Sequence, residues 1–282
     1  MRIDVRGAAI EYDRTEAPAG GGGGRPTLLL LHAFPLHRGM WDSLVEALTA
    51  GSGSDSGSAP GWAGRILRLD CRGFGGSPPG PDALVMEQIA DDAVAVLREE
   101  GIERAVVCGL SMGGYAALAL ARRHPGRLAG LILADTRAEA DTPEARDARA
   151  KAAVRVREEG PGFLADELPP KLLGETTRRE RPRVVERVRE MIAAAGAPGV
   201  AQALEGMALR PDSRPFLEDV EVPTLVLCGA EDALTPVAAA ETLRDGIPGS
   251  RLEVLAGAGH LPNLETPEAF ERAVAEFLRD LT

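Results

Sequence analysis

Eight short apolar runs, separated by longer segments of helical periodicity, constrain this chain of 282 residues more than any other feature. The runs fall at Ile3 to Val5, Ala8 to Tyr12, Thr27 to Leu31, Arg65 to Asp70, Arg104 to Cys108, Leu128 to Ala134, Thr224 to Cys228 and Leu252 to Leu255. Helical patterns occupy 40–50, 86–100, 111–124, 236–246 and 267–280. Parallel strands need crossover connections, so this alternation predicts an α/β fold: a mostly parallel sheet with helices on both faces. The first two runs are close enough to form a hairpin, which makes that edge antiparallel.

The alternation lapses between about 140 and 215, where charged helical segments replace strands. There "RVVERVREMIAAAG" sets Val184, Val185, Val188, Met191 and Ile192 at helical spacing and ends at Gly196. A helical insertion over the sheet follows. Its apolar residues Phe163, Leu164, Leu168, Leu172, Leu173, Met191, Leu204 and Met207 either pack it on the sheet or line a pocket, packing being the default. Positive and negative charges nearly balance over 140–190, which reads first as a solvated mixed face and second as a region that steers an acidic substrate or carrier. Two glycine- and serine-rich stretches, 17–26 and 49–64, are expected to be mobile surface loops.

A formal charge of −11 and a pI near 5.0 argue against nucleic acid, whose binding needs clustered basic charge. Cys71, Cys108 and Cys228 are odd in number and lack C-x-x-C spacing, so buried reduced thiols are expected. The N-terminal stretch has no apolar core of a secretory signal, and no later run approaches a membrane span. The expectation is a soluble, cytoplasmic protein with no membrane partner, a monomer or a small homo-oligomer.

The stretch "VVCGLSMGGYAALALARRHPG" carries the chemistry. Gly109-Leu110-Ser111-Met112-Gly113 is G-x-S-x-G between a predicted strand and a predicted helix, the context of a nucleophile elbow. A lone match would be no more than a serine helix cap. A serine hydroxyl needs a base, and the base needs a group that fixes its tautomer. His260, in "LAGAGHLPNLETPEAF", follows the last strand and is the candidate base. His124 ends the helix that Ser111 begins and reads as a capping residue; His32 reads as a brace of its loop, and His37 has no assigned role. For the acid, Asp232 in "LVLCGAEDALTP" is favoured by the order Ser111, Asp232, His260. Asp135 in "LILADTR" is the alternative, otherwise a turn or capping residue. Oxyanion donors are expected from the backbone N–H groups of Met112 and Phe34.

Together with "HAFPL" and "DCRGFGGS", these segments resemble the α/β-hydrolase superfamily over nearly the whole chain outside the insertion. They look most like the small bacterial branch of 3-oxoadipate enol-lactonases, carboxylesterases and cofactor-free perhydrolases. Ala33 departs from the glycine many relatives carry after the histidine. The resemblance implies an eight-stranded core domain (1–139 and 216–282), a helical cap (140–215) between strands six and seven, and a Ser-His-Asp hydrolase of small esters or lactones, with no cofactor and no metal. It leaves open a perhydrolase with the same triad and a ligand sensor that does not turn over. Epoxide hydrolases and dehalogenases would place aspartate where Ser111 stands.

Overall fold

A computed structural model describes residues 1–15, 25–50 and 64–281; the two glycine- and serine-rich stretches lie outside these apart from their ends. The described strands are β1 (Arg2–Val5), β2 (Ala8–Thr15), β3 (Thr27–Leu31), β4 (Ile66–Leu69), β5 (Ala105–Leu110), β6 (Leu128–Ala134), β7 (Thr224–Gly229) and β8 (Arg251–Leu255). They form one sheet in the order β1-β2-β4-β3-β5-β6-β7-β8. Strand β2 is antiparallel to both neighbours; every other pairing is parallel. It runs three residues past Tyr12, because Tyr12 to Thr15 pair with Leu69 to Ile66, a partner that local sequence does not reveal.

Strands β3 and β5 are buried at every position, as sheet centres covered on both faces require. The helices before the insertion are α1 (Asp42–Thr49), α2 (Met86–Glu99) and α3 (Met112–Arg123). The crossover carrying α1 runs from β3 to β4 in one direction along the sheet, and that carrying α2 runs from β4 to β5 in the other. Right-handed crossovers in opposite directions put α1 and α2 on opposite faces. The reversal also opens a crevice at the carboxyl ends of β3 and β5, the usual ligand position in such sheets. The expected helix over 40–50 is split: a 3-10 turn, Arg38–Trp41, precedes α1 because the His37 ring nitrogen accepts the Gly39 N–H at 3.1 Å.

Six α-helices and a 3-10 helix (Arg214–Asp219) lie between β6 and β7, the α-helices being α4 (Pro143–Glu159), α5 (Leu164–Glu167), α6 (Pro169–Leu172), α7 (Glu175–Glu180), α8 (Pro182–Ala193) and α9 (Ala197–Ala208). Helix α4 packs along α9, and α5 and α7 pack on α8. Leu164, Leu172, Leu173, Met191, Leu204 and Met207 are buried in the common core, while Phe163 and Leu168 are partly buried. The chain closes with α10 (Val237–Gly246), α11 (Pro262–Glu265) and α12 (Pro267–Asp280). Helix α12 buries Phe270, Val274, Phe277 and Leu278 on one face, with Phe270 against Trp41. No helix among the described residues is long and apolar enough to cross a membrane. The three cysteines are free and buried.

Candidate active site

Every residue singled out for chemistry leaves the carboxyl end of a parallel strand: Phe34 after β3, Ser111 after β5, Asp135 after β6, Asp232 after β7 and His260 after β8. The topology thus gathers them from five separate loops.

Ser111 has φ +55° and ψ −111°, a conformation costing a residue with a Cβ about 1–3 kcal/mol. The turn is held on three sides. Ser111 N–H donates to Ala134 O at 2.9 Å, Ser111 O accepts Tyr115 N–H at 3.1 Å, and Thr136 Oγ1 donates to the same carbonyl at 3.0 Å. Glycine at 109 and 113 is a packing requirement: a Cβ on Gly109 would collide with the Gly113 carbonyl, and one on Gly113 with the Leu31 carbonyl. The turn therefore lies directly against the backbone that leads to Phe34. Neither Phe34 N–H nor Met112 N–H has a backbone acceptor among the described residues.

Ser111 Oγ lies 2.8 Å from His260 Nε2, and His260 Nδ1 lies 2.8 Å from Asp232 Oδ2. With Nδ1–H donating to the carboxylate, Nε2 is the acceptor for the serine hydroxyl. The histidine and aspartate are both buried. Asp232 Oδ1 accepts the N–H groups of Leu234 (2.8 Å) and Thr235 (3.0 Å), and Thr235 Oγ1 donates to Oδ2. Burial pushes this carboxyl upward, but the neighbouring His260 charge and the hydrogen bonds from His260 and Thr235 outweigh it and hold Asp232 at about 2.

Asp135 does not contact His260. It is buried, with φ +42°, and its Oδ1 accepts the Gly229 N–H at 2.8 Å while its carboxyl faces Asp232. Of the two roles expected apart from the acid, a turn or a helix cap, it takes the first: it lies in the bend where β6 runs into a loop, and it caps no helix. Asp135, Cys228 and Asp232 are the one grouping of metal-ligand types among the described residues. Two of the three are engaged otherwise: Asp232 by the contacts above, and the Cys228 thiol by donation toward Gly229 O (3.4 Å) and Thr235 O (3.6 Å).

The other histidines separate clearly. His32 bridges two loops, its Nδ1 donating to Ala33 O at 3.0 Å and its Nε2 accepting Cys71 N–H at 3.0 Å; burial lowers its pKa and keeps it neutral. His124 is the C-cap of α3, as its position in the sequence indicates, and its side chain reaches across to Asp91 of α2 at 2.7 Å.

Sequence reasoning missed Glu265. Fully buried, it accepts Gly259 N–H (3.0 Å) and Leu261 N–H (2.9 Å) on Oε1 and Gly174 N–H (2.8 Å) on Oε2. One carboxylate thus clamps the N–H groups of both residues flanking His260 and ties them to the inserted helices. His260 N–H adds a bond to Leu172 O at 2.9 Å, and Glu231 accepts Thr176 N–H at 2.9 Å. The only local sign was an acidic residue in the first turn after the histidine loop. Glu265→Gln leaves one amide N–H₂ facing a backbone N–H, a loss of about 2 kcal/mol. The midpoint of thermal unfolding should fall by about 4–8 °C at that cost; an unchanged midpoint by calorimetry would refute the clamp.

The chain matches the alpha/beta hydrolase fold family over residues 26–267. It is 35% identical over 216 residues to 3-oxoadipate enol-lactonase 2 of Acinetobacter baylyi, covering 76% of this chain and 78% of that one. A thermophilic esterase from Thermogutta terrifontis, solved with malate bound, superposes with a TM-score of 0.89 at 41% identity, covering 100% of this chain and 99% of that one. The enol-lactonase from Burkholderia xenovorans does so at 0.86 and 30%, covering 99% and 100%. On fold, sequence and the extent of both matches, the chain belongs to the alpha/beta hydrolase fold family, among relatives that hydrolyse esters and lactones.

Proposed function

We propose that this protein is a serine hydrolase of small carboxylic esters or lactones, acting through an acyl-enzyme. The observation that carries the reading is the unbroken chain Ser111 Oγ, His260 Nε2, His260 Nδ1, Asp232 Oδ2, with both links at 2.8 Å. Ser111 attacks the carbonyl carbon while His260 takes its proton, and Asp232 fixes the ring and stabilises the imidazolium. The negative charge on the carbonyl oxygen develops beside the start of α3, where the N–H groups of Met112 and Phe34 act as donors. His260 returns its proton to the leaving alcohol, which in a lactone stays attached as the far end of the same acyl chain. Water then attacks the acyl-enzyme by the same steps reversed.

The inserted helices, 140–215, serve as the cap that shapes the acyl site. Ties from Leu172, Gly174 and Thr176 to the loops after β7 and β8 support this placement. The buried reduced thiols suit a reducing compartment such as the cytoplasm.

Initial rates on p-nitrophenyl esters from acetate to octanoate test the reading. Turnover is expected, with a preferred acyl length that measures the pocket, and an organophosphonate should add its mass to the peptide that contains Ser111. A folded protein that neither turns over these esters nor labels at Ser111 would sink it.

A further inference from the structure

Two buried carboxyl groups meet behind His260. Asp135 and Asp232 leave adjacent strands, and their nearest oxygens and the Cys228 sulfur all lie within 4.8 Å of one another. Both residues are almost wholly buried. Like charges at this separation, away from water, cannot both be ionised without large cost, so one site must hold a proton.

The hydrogen-bond donors say which. Asp232 receives four: two backbone N–H groups on Oδ1, and the Thr235 hydroxyl and His260 Nδ1–H on Oδ2. Asp135 receives one, from Gly229 N–H on Oδ1, and its Oδ2 is buried without any donor. A carboxylate oxygen with no donor is the natural place for a proton, and the Asp135 carboxyl faces the anionic Asp232. We propose that Asp135 is a positioning residue, a neutral carboxylic acid whose Oδ2–H donates to the Asp232 carboxylate that orients His260.

Burial first, and then the Asp232 charge, push Asp135 well above the usual carboxylate range. The titratable groups facing it are Asp232 on the loop after β7, Cys228 on β7 and Glu265 on α11, with His260 beyond Asp232. No cation lies among them to favour ionised Asp135 except an imidazolium on the far side of Asp232. The consequence is twofold. A fifth donor fixes the plane of the Asp232 carboxylate, and with it the ring of His260. It also makes Asp232 less basic, so the proton taken from Ser111 stays on the imidazole. Left-handed backbone at Asp135 is tolerated by Asp and Asn better than by other residues, which makes Asn the conservative replacement.

The inference rests on the Ser-His-Asp reading, and its test separates the two. In isotope-edited infrared spectra at neutral pH, wild type should show the carbonyl stretch of a protonated carboxyl group; Ser111→Ala should keep it and Asp135→Asn should lose it. Asp135→Ala should lower kcat on the order of a hundredfold at nearly constant KM, as expected for a misplaced ring. Asp135→Asn, which keeps a donor toward Asp232 and an acceptor for Gly229, should recover most of that loss.

Linkage gives a third readout. Unfolded Asp135 ionises near pH ~4 and the folded group holds its proton above that, so folding takes up a proton and stability falls as pH rises between the two values. Asp135→Asn lacks this component, so its midpoint should fall less steeply toward alkaline pH. Absence of the infrared band, or an Asp135→Asn loss as deep as that of Asp232→Asn, on the order of 10⁴-fold, would overturn the proposal. If Ser111→Ala and Asp232→Asn left ester turnover intact, the triad reading would fall while the band still reported on Asp135.

Discussion

Ser111→Ala is expected to lower kcat on the best p-nitrophenyl ester by about 10⁶-fold, with the thermal midpoint unchanged. The hydroxyl is the nucleophile in the proposed reaction and takes no part in holding its own turn. That turn is held by backbone bonds to Ala134 and Tyr115 and by the Thr136 hydroxyl, all of which alanine retains. KM should change little, because the groups that bind substrate remain. Once the serine is gone the histidine has nothing to activate, so Ser111→Ala/His260→Ala should be within about threefold of Ser111→Ala alone. Both variants should still exceed the uncatalysed rate by about 10³–10⁴-fold, through the donors proposed at Met112 and Phe34. Single-turnover and steady-state rates on purified variants decide this, and a Ser111→Ala activity within a hundredfold of wild type would remove the acyl-enzyme.

Much of this site can be read from sequence because its members sit in local motifs at strand ends. G-x-S-x-G joins a strand of buried residues to an alanine-rich helix, and the aspartate and histidine each follow an apolar run. Once the runs are taken as neighbouring parallel strands, their carboxyl ends fall on one edge, and the residues need not be close in the chain to meet. Partnerships between loops are different. Asp135 and Gly229 are 94 positions apart, as are no two members of a recognisable motif, and nothing near Asp135 announces that its neighbour will be another carboxylate. Glu265 accepts from Gly174 at a separation of 91 residues, which depends on where the inserted helices come down. Strand ends fail for the same reason. Thr15 belongs to β2 only because β4 is there to pair with it.

Gly113→Ala should be a severely damaging methyl addition at the elbow. Its Cβ would enter the Leu31 carbonyl and come within 3.0 Å of His32 O, both of them main-chain atoms that cannot swing aside. To make room, the first turn of α3 must move off the end of β3, although both are buried. Overpacking against backbone at such a junction costs about 3 kcal/mol or more. For a chain of this size that lowers the thermal midpoint by about 6–12 °C. The same displacement separates the N–H of Met112 from the loop that carries Phe34, so the two proposed oxyanion donors no longer converge. A shift on the order of 1 Å at a reacting group can cost about a hundredfold in rate. Gly126→Ala is the control: it adds the same methyl where nothing lies within 4 Å, and its stability should stay within about 0.5 kcal/mol of wild type. If Gly113→Ala melted and turned over like Gly126→Ala, the close approach of elbow and loop would not be what sets the site. A lower midpoint with wild-type kcat in the surviving fold would place the two donors on some other pair of N–H groups.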